Sequence, residues 1–379
     1  MRLWPFRHRR PLPALPPDDL LVTEEQLRHA ADGVLAVRER QIRGPVIVFR
    51  GQLEMDPRRA LDALLARFGR FGYTPFLRAE RDGGVVVQAW PLGDLREPAR
   101  PWLALGLFVA TVLSTFVAGA AYFVGSETFD AFRALPFPGW LVSGAPFAVT
   151  LLTILGVHEL GHYFTARRYG AAVSLPYFIP APMLFGTFGA IIRMRSPARD
   201  RNALFDIAVA GPLAGLLVAL PALVVGLGWS QIVTAPAAGG FGGFGYSLLT
   251  RLFVYLRFGE LADGVSVVTH PMADAAWVGC FVTALNLIPI GQLDGGRIAY
   301  ALSSRRHRLL GIAAWVVMLA MGAVTGAANW FVWAALLFFL VGFDHGPPLD
   351  DLTPLTPARR LLGVASLALV VVLLPPIPI

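Results

Sequence analysis

The residues best suited to chemistry are His158-Glu159-Leu160-Gly161-His162, at the end of an apolar run, 139–157, that contains no charged side chain. A helix sets His158 and His162 on one face, because residues four apart are neighbours. Two imidazoles at that spacing can hold a zinc ion, with Glu159 beside it as general base. Ionisable side chains are costly at membrane depth, so three together call for a reason, and a metal site is the simplest one. The plainer alternative is a helix end whose polar residues reach the interface. A second acidic site favours the metal: Asn286-Leu287-Ile288-Pro289-Ile290-Gly291-Gln292-Leu293-Asp294-Gly295-Gly296. Pro289 should break the preceding helix, and Gly295-Gly296 permit a tight turn that aims the Asp294 carboxylate inward. A catalytic zinc needs three protein ligands and one open position. His158, His162 and Asp294 supply two nitrogens and an oxygen.

The elements that position these residues are expected to be membrane helices. Of 379 residues, 55% are hydrophobic and 15% charged, the balance of a polytopic membrane protein with a modest soluble part. The expected fold is an all-α polytopic membrane protein of six or seven transmembrane helices with a re-entrant β-like hairpin, plus a small N-terminal α+β domain. We expect residues 1–98 to form a cytoplasmic soluble domain and 99–379 the transmembrane part, with its catalytic core at about 139–297. Spans are read at Trp102–Val124, Trp140–Phe164, Leu204–Leu227, Met272–Ile290, Leu309–Val324, Trp330–Phe343 and Leu361–Leu374. In the soluble part, Thr23 and Gln26 suggest a capping box opening a helix towards Arg38. Pro45–Phe49 reads as a strand, Pro57–Phe68 as an amphipathic helix, and Tyr73–Ala79 with Val85–Ala89 as a hairpin around Asp82-Gly83-Gly84.

Charge sets the orientation. The net charge is +7 and arginine supplies every basic side chain other than histidine. Arg167, Arg168, Arg193, Arg195, Arg199, Arg201, Arg297, Arg305, Arg306, Arg308, Arg359 and Arg360 fall on the side of the N-terminal domain. Only Arg133, Arg251 and Arg257 fall opposite. The positive-inside rule then puts His158 near the cytoplasmic face. Arginines at the ends of apolar segments serve orientation, and no nucleic-acid partner is expected. No cleavable signal peptide is read in Met1–Pro17. The connection from Ser174 to Pro197 is apolar but broken by Pro176, Pro180 and Pro182. A hairpin covering the metal site is its sharper reading, with strand-like Phe188–Ile192, against a loop lying on the surface.

The pair His-Glu-Leu-Gly-His and Asn286-x-x-Pro289-x-x-x-Leu293-Asp294-Gly295-Gly296 resembles the site-2 protease family of intramembrane metalloproteases. The likeness extends to Gly186-Thr187-Phe188-Gly189-Ala190 and to Ala210-Gly211-Pro212-Leu213-Ala214-Gly215. The resemblance implies one zinc held by His158, His162 and Asp294, with Glu159 polarising the water that attacks a peptide bond. It implies that Asn286 holds the substrate backbone or developing oxyanion. Gly189 belongs to the segment that could offer a strand edge to an unwound substrate. The substrates would be membrane proteins cut within the lipid bilayer, in regulated intramembrane proteolysis. The likeness is to the branch of bacteria and plastids with a soluble N-terminal extension, without PDZ or CBS domains, and a bacterial inner or cell membrane is the expected location. Two rivals stay open: a proteolytically inactive scaffold or chaperone of the same fold, and a metal transporter.

Other candidates carry less. Cys280 reads as a small buried hydrophobe, His270 as interfacial, and His307 as charge on the inner surface. Asp344-His345 reads as an exit loop, His8 and His29 as parts of the soluble region, and the Trp330–Phe343 aromatics as lipid-facing or packing residues.

Overall fold

A computed structural model describes residues 17–80, 83–92, 100–121, 139–181, 185–234, 245–262 and 264–376. The arginine- and proline-rich start with His8, Asp82 of the expected turn, Val124, Arg133 and Pro182 lie outside the described residues.

The N-terminal region is a four-stranded antiparallel sheet in the order β1-β2-β4-β3, formed by Leu35–Arg43, Val46–Leu53, Val85–Trp90 and Thr74–Ala79 respectively. Helices α1 (Pro17–Ala30) and α2 (Pro57–Phe68) contribute to its core, in which Leu27, Phe49, Leu61, Leu64, Phe68 and Leu77 are fully buried. Asp56 caps α2 by accepting from the Arg58 amide at 3.0 Å, with Pro57 in the first turn, as helix starts favour. The strand expected from Pro45 begins at Val46, and those of the 73–89 hairpin are present.

The expected helix from Thr23 to Arg38 is not. The helix begins at Pro17 and ends at Ala30, and Leu35–Arg43 is a strand. Thr23 sits inside the helix with its hydroxyl donating to the Asp19 carbonyl at 2.7 Å, an internal back-bond rather than a cap. Gly33 takes φ 71° where the chain turns. Gly44, with φ 58°, then allows the two-residue loop that pairs Arg43 with Val46. Sheet pairing thus overrides the apparent capping pattern.

Four helices among the described residues are long and apolar enough to cross a membrane: α3 (Pro101–Ala121), α4 (Ala145–Arg168), α5 (Arg201–Gly228) and α9 (His307–Thr325). The segment Met272–Ile290 forms α7 (Pro271–Leu287), which is shorter and buried on nearly every side. α8 (Asp294–Leu302), α10 (Ala328–Leu336) and α11 (Pro357–Leu373) complete this part. On the side opposite the metal site, Gln231–Thr234 (β7) pairs with Val265–Val268 (β8), and helix α6 spans Leu248–Phe258.

Helices α4, α5 and α7 form the centre, around Leu151, Ile154, Leu223, Trp277 and Phe281. Small residues let them close. A methyl group at Gly161 would lie 2.7 Å from the Ala210 carbonyl, and one at Gly279 2.8 Å from Ile154. On α4 the buried stripe Phe147, Leu151, Ile154, His158 and His162 runs along one face. The apolar surface that docks the helix therefore continues directly into the two histidines.

Within the 174–197 segment β5 (Tyr177–Pro180) pairs antiparallel with β6 (Thr187–Ile191). Phe178 packs edge-on against Phe108 of α3 at 5.1 Å, and Ser114 donates to the Gly186 carbonyl at 2.6 Å. At its open end the Ser174 amide donates to the Arg193 carbonyl at 3.0 Å, and the Arg193 amide to the Ser174 hydroxyl at 2.9 Å.

A strap after the last π-helical turn, Leu337–Val341, joins the two regions. The Leu77 amide donates to the Leu349 carbonyl at 2.7 Å, and the Asp351 amide to the Leu77 carbonyl at 3.0 Å. The same segment reaches the start of α5, where the Leu349 and Asp350 amides donate to the Ala198 and Arg199 carbonyls at 2.9 Å each.

Candidate metal centre

Two elements bring the donors together: α4 carries His158 and His162, and the first residue of α8 is Asp294. Helix α7 stops at Leu287 because Pro289 follows, and Ile288 takes the extended conformation (ψ 130°) usual before proline. Gly295 and Gly296 work differently from the expected turn. They lie inside the first turn of α8, and their missing side chains let it press against the carbonyls of Leu287 and Gly291. The positive φ needed for the reversal is at Gly291, 47°.

His162 Nε2 lies 3.1 Å from His158 Nε2 and 3.1 Å from an Asp294 carboxylate oxygen, which is 3.5 Å from His158 Nε2. A tetrahedral ion with bonds of about 2.0–2.1 Å spaces its ligand atoms by roughly 3.3 Å, so these donors fit zinc. Among the described residues this is the one group of three metal-ligating side chains that converges, and all three are buried. His162 Nδ1 lies 2.6 Å from the Ile207 carbonyl. A proton on Nδ1 makes that bond and leaves Nε2 as the free lone pair a metal requires. Burial would raise the Asp294 carboxyl, but the two histidines and Arg297 hold it below the usual carboxylate range. The group therefore stays anionic, as a cation ligand should.

Two glycines of α5 make room for the rings. A methyl group at Gly211 would overlap the His162 imidazole at Nε2, and one at Gly215 would come within 3.3 Å of His158. Sequence reading placed both glycines in one motif, and their four-residue spacing sets them on one helix face, but it did not foresee that they make room for the histidine rings.

Glu159 is buried, and the backbone of Ile192, just beyond β6, hydrogen-bonds its carboxylate. Asn286 is half-buried in the last turn of α7, and its side chain has no partner among the described residues. Gly189 lies on β6 with φ 96° and open space where a side chain would stand. Beside it Phe188 is 73% exposed. Arg297, expected only to mark orientation, places Nη1 3.8 Å from Asp294. His307 is not simply surface charge: its ring packs on Tyr300 at 4.8 Å, and Nδ1 lies 2.8 Å from the Ser304 carbonyl. Cys280 is a free, buried thiol, as expected.

Comparison with known proteins agrees with this geometry. Residues 146–329 match the model of peptidase family M50. The chain is 30% identical over 346 residues to the probable zinc metalloprotease EGY2, chloroplastic, of Arabidopsis thaliana, covering 88% of this chain and 60% of that protein. It is 34% identical over 239 residues to the probable zinc metalloprotease EGY1, chloroplastic, of the same plant, covering 61% of this chain and 42% of that one. The chain thus spans about 60% or less of the length of these relatives. No solved structure matches. These relatives are chloroplastic by name and lend no support to the bacterial membrane expected above; a multi-pass membrane setting is what the apolar helices support. The converging His158, His162 and Asp294, with the matched segment that contains them, place the chain in peptidase family M50, the site-2 protease family.

Proposed function

We propose that this protein is an intramembrane zinc metalloendopeptidase that hydrolyses peptide bonds of transmembrane protein substrates. The convergence of His158, His162 and Asp294 beside a buried Glu159 carries the reading. A zinc ion held there would polarise the scissile carbonyl and acidify a water towards neutrality. Glu159 then accepts the proton of the attacking water and returns it to the leaving amine. Asn286, whose side chain has no partner among the described residues, donates to the substrate backbone or to the developing oxyanion. The outer edge of β6 receives the substrate as an added strand, with Gly189 leaving space for its backbone. A helical substrate conceals its amides in its own hydrogen bonds, so it unwinds before it pairs.

In this reading residues 1–98 form a cytoplasmic domain and 99–379 the membrane part, its catalytic core at about 139–297. The 174–197 hairpin enters the bilayer beside α3 and α4. Helices α7 and α11 join the four long spans, and the α10 segment decides between six and seven crossings.

The test is cleavage of a model transmembrane substrate in vesicles by wild type and Glu159→Gln. Loss of about 10²–10⁴-fold in rate, the usual contribution of a general base, is expected with zinc content unchanged. Equal rates for the two proteins would remove the protease reading and leave a scaffold or transporter.

A further inference from the structure

Where β6 ends, a cavity of about 230 Å³ opens, lined by Ile192, Arg193, Ser196, Gln292, Arg297 and His345 among others. It lies next to the catalytic base, because Ile192, whose backbone meets Glu159, is one of the residues that line it. Two arginines and a histidine line it, and no acidic residue does. Arg297 is mostly buried, one helical turn beyond Asp294. The His345 Nδ1 atom is buried without a hydrogen-bond partner. Its ring packs on Tyr300 at 5.2 Å, while Tyr300 also packs on His307. The wall that bears His345 is fixed as well, since Gln292 donates to the Asp344 carbonyl at 3.1 Å and the strap follows directly. Burial pushes His345 down to about 3, with Arg297 and His307 adding to the effect, so its ring is neutral at pH 7 and the arginines supply the charge.

A half-open cavity lined by two arginines suits a carboxylate, which the planar guanidinium can bind through two parallel hydrogen bonds. It is smaller than the roughly 300–1,000 Å³ of cofactor and small-molecule sites, and matches one side chain. Its continuity with β6 points to the substrate as the source. A strand added along β6 advances about 3.3 Å per residue, so it would deliver a side chain here within a few residues of the scissile bond.

We propose that this cavity is a substrate subsite selecting an acidic side chain close to the cut, with Arg297 as the specificity-determining cation and His345 shaping its wall. The proposal rests on the protease reading above. It is tested with the full chain in phosphatidylcholine vesicles. A single Glu, matched by Gln, is scanned along a model transmembrane substrate on both sides of the cleavage point. At one or two neighbouring positions Glu should raise kcat/KM by about tenfold or more over Gln, the scale of a charge-assisted hydrogen bond. That ratio should collapse in Arg297→Gln, fall in His345→Phe, and be partly kept in Arg297→Lys. A second readout avoids catalysis and any loss of it: anisotropy of a labelled decapeptide bound to Glu159→Gln. Its Glu form should bind more tightly than its Gln form, and the difference should vanish in Glu159→Gln/Arg297→Gln.

No Glu preference at any position, or one that survives both Arg297→Gln and His345→Phe, overturns the subsite even while cleavage of Gln substrates upholds the protease. Selective peptide binding without any cleavage upholds the subsite and sinks the protease. Arg297-dependent stimulation by phosphatidylglycerol, with no Glu preference, assigns the cavity to a lipid headgroup and overturns the proposal.

Discussion

At Gly211 one absent methyl group decides whether His162 can face a metal. A methyl group there would overlap Nε2, the atom that must remain free. Gly211→Ala is therefore expected to displace the ring, and zinc measured by atomic absorption should fall well below one ion per chain. Gly215→Ala meets His158 at 3.3 Å, a contact that a shift of a few tenths of an ångström relieves. It should retain most of its zinc. Equal zinc content in the two variants would show that the helices yield and that Gly211 sets nothing. Asp294→Asn removes the one anionic ligand and should lose the metal at lower chelator concentration than wild type, since neutral donors bind zinc more weakly.

The hairpin shows the same logic at the scale of an element. β6 is useful to an incoming strand only if its outer edge has free amides and carbonyls. Proline at Phe188 or Ala190 would remove an amide and fix φ, without touching the three ligands. Proteolysis should drop by at least about tenfold while zinc content stays level. Normal proteolysis would show that the substrate does not pair there. The hairpin was legible because Pro176, Pro180 and Pro182 forbid a continuous helix across an otherwise apolar segment. Its attachment to α3 was not, because the Phe108–Phe178 contact joins residues far apart in the chain.

Across the whole molecule, the strap at 349–351 ties the N-terminal sheet to the start of α5. Asp350 is fully buried and its carboxylate accepts from the Leu352 and Thr353 amides, at 2.8 and 3.1 Å, and from the Thr353 hydroxyl. Asp350→Ala would strand those donors, at a cost of about 2–3 kcal/mol. Hydrogen exchange at Leu77 and Leu349 should then quicken together, because their amides belong to one ladder. Faster exchange at neither site would show that the strap is held by packing alone. The strap also continues into the wall of the cationic cavity, so loosening it is expected to lower any acidic-substrate preference before it lowers zinc content.

Local chemistry and periodicity were written in the sequence. The four-residue spacing of His158 and His162, the helix break at Pro289 and four of the seven apolar spans depend only on neighbours along the chain, and those readings stand in the structure. The Thr23 cap failed because sheet pairing outweighed a short polar pattern. Meetings between distant segments belong to the tertiary structure alone: Asp294 against His162, the Ile207 carbonyl behind that ring, Gly211 beneath it, and Arg297 and His345 around one cavity. Each depends on how closely three helices approach. That distance is set by the glycines and side chains of all three at once, which no single stretch of sequence encodes.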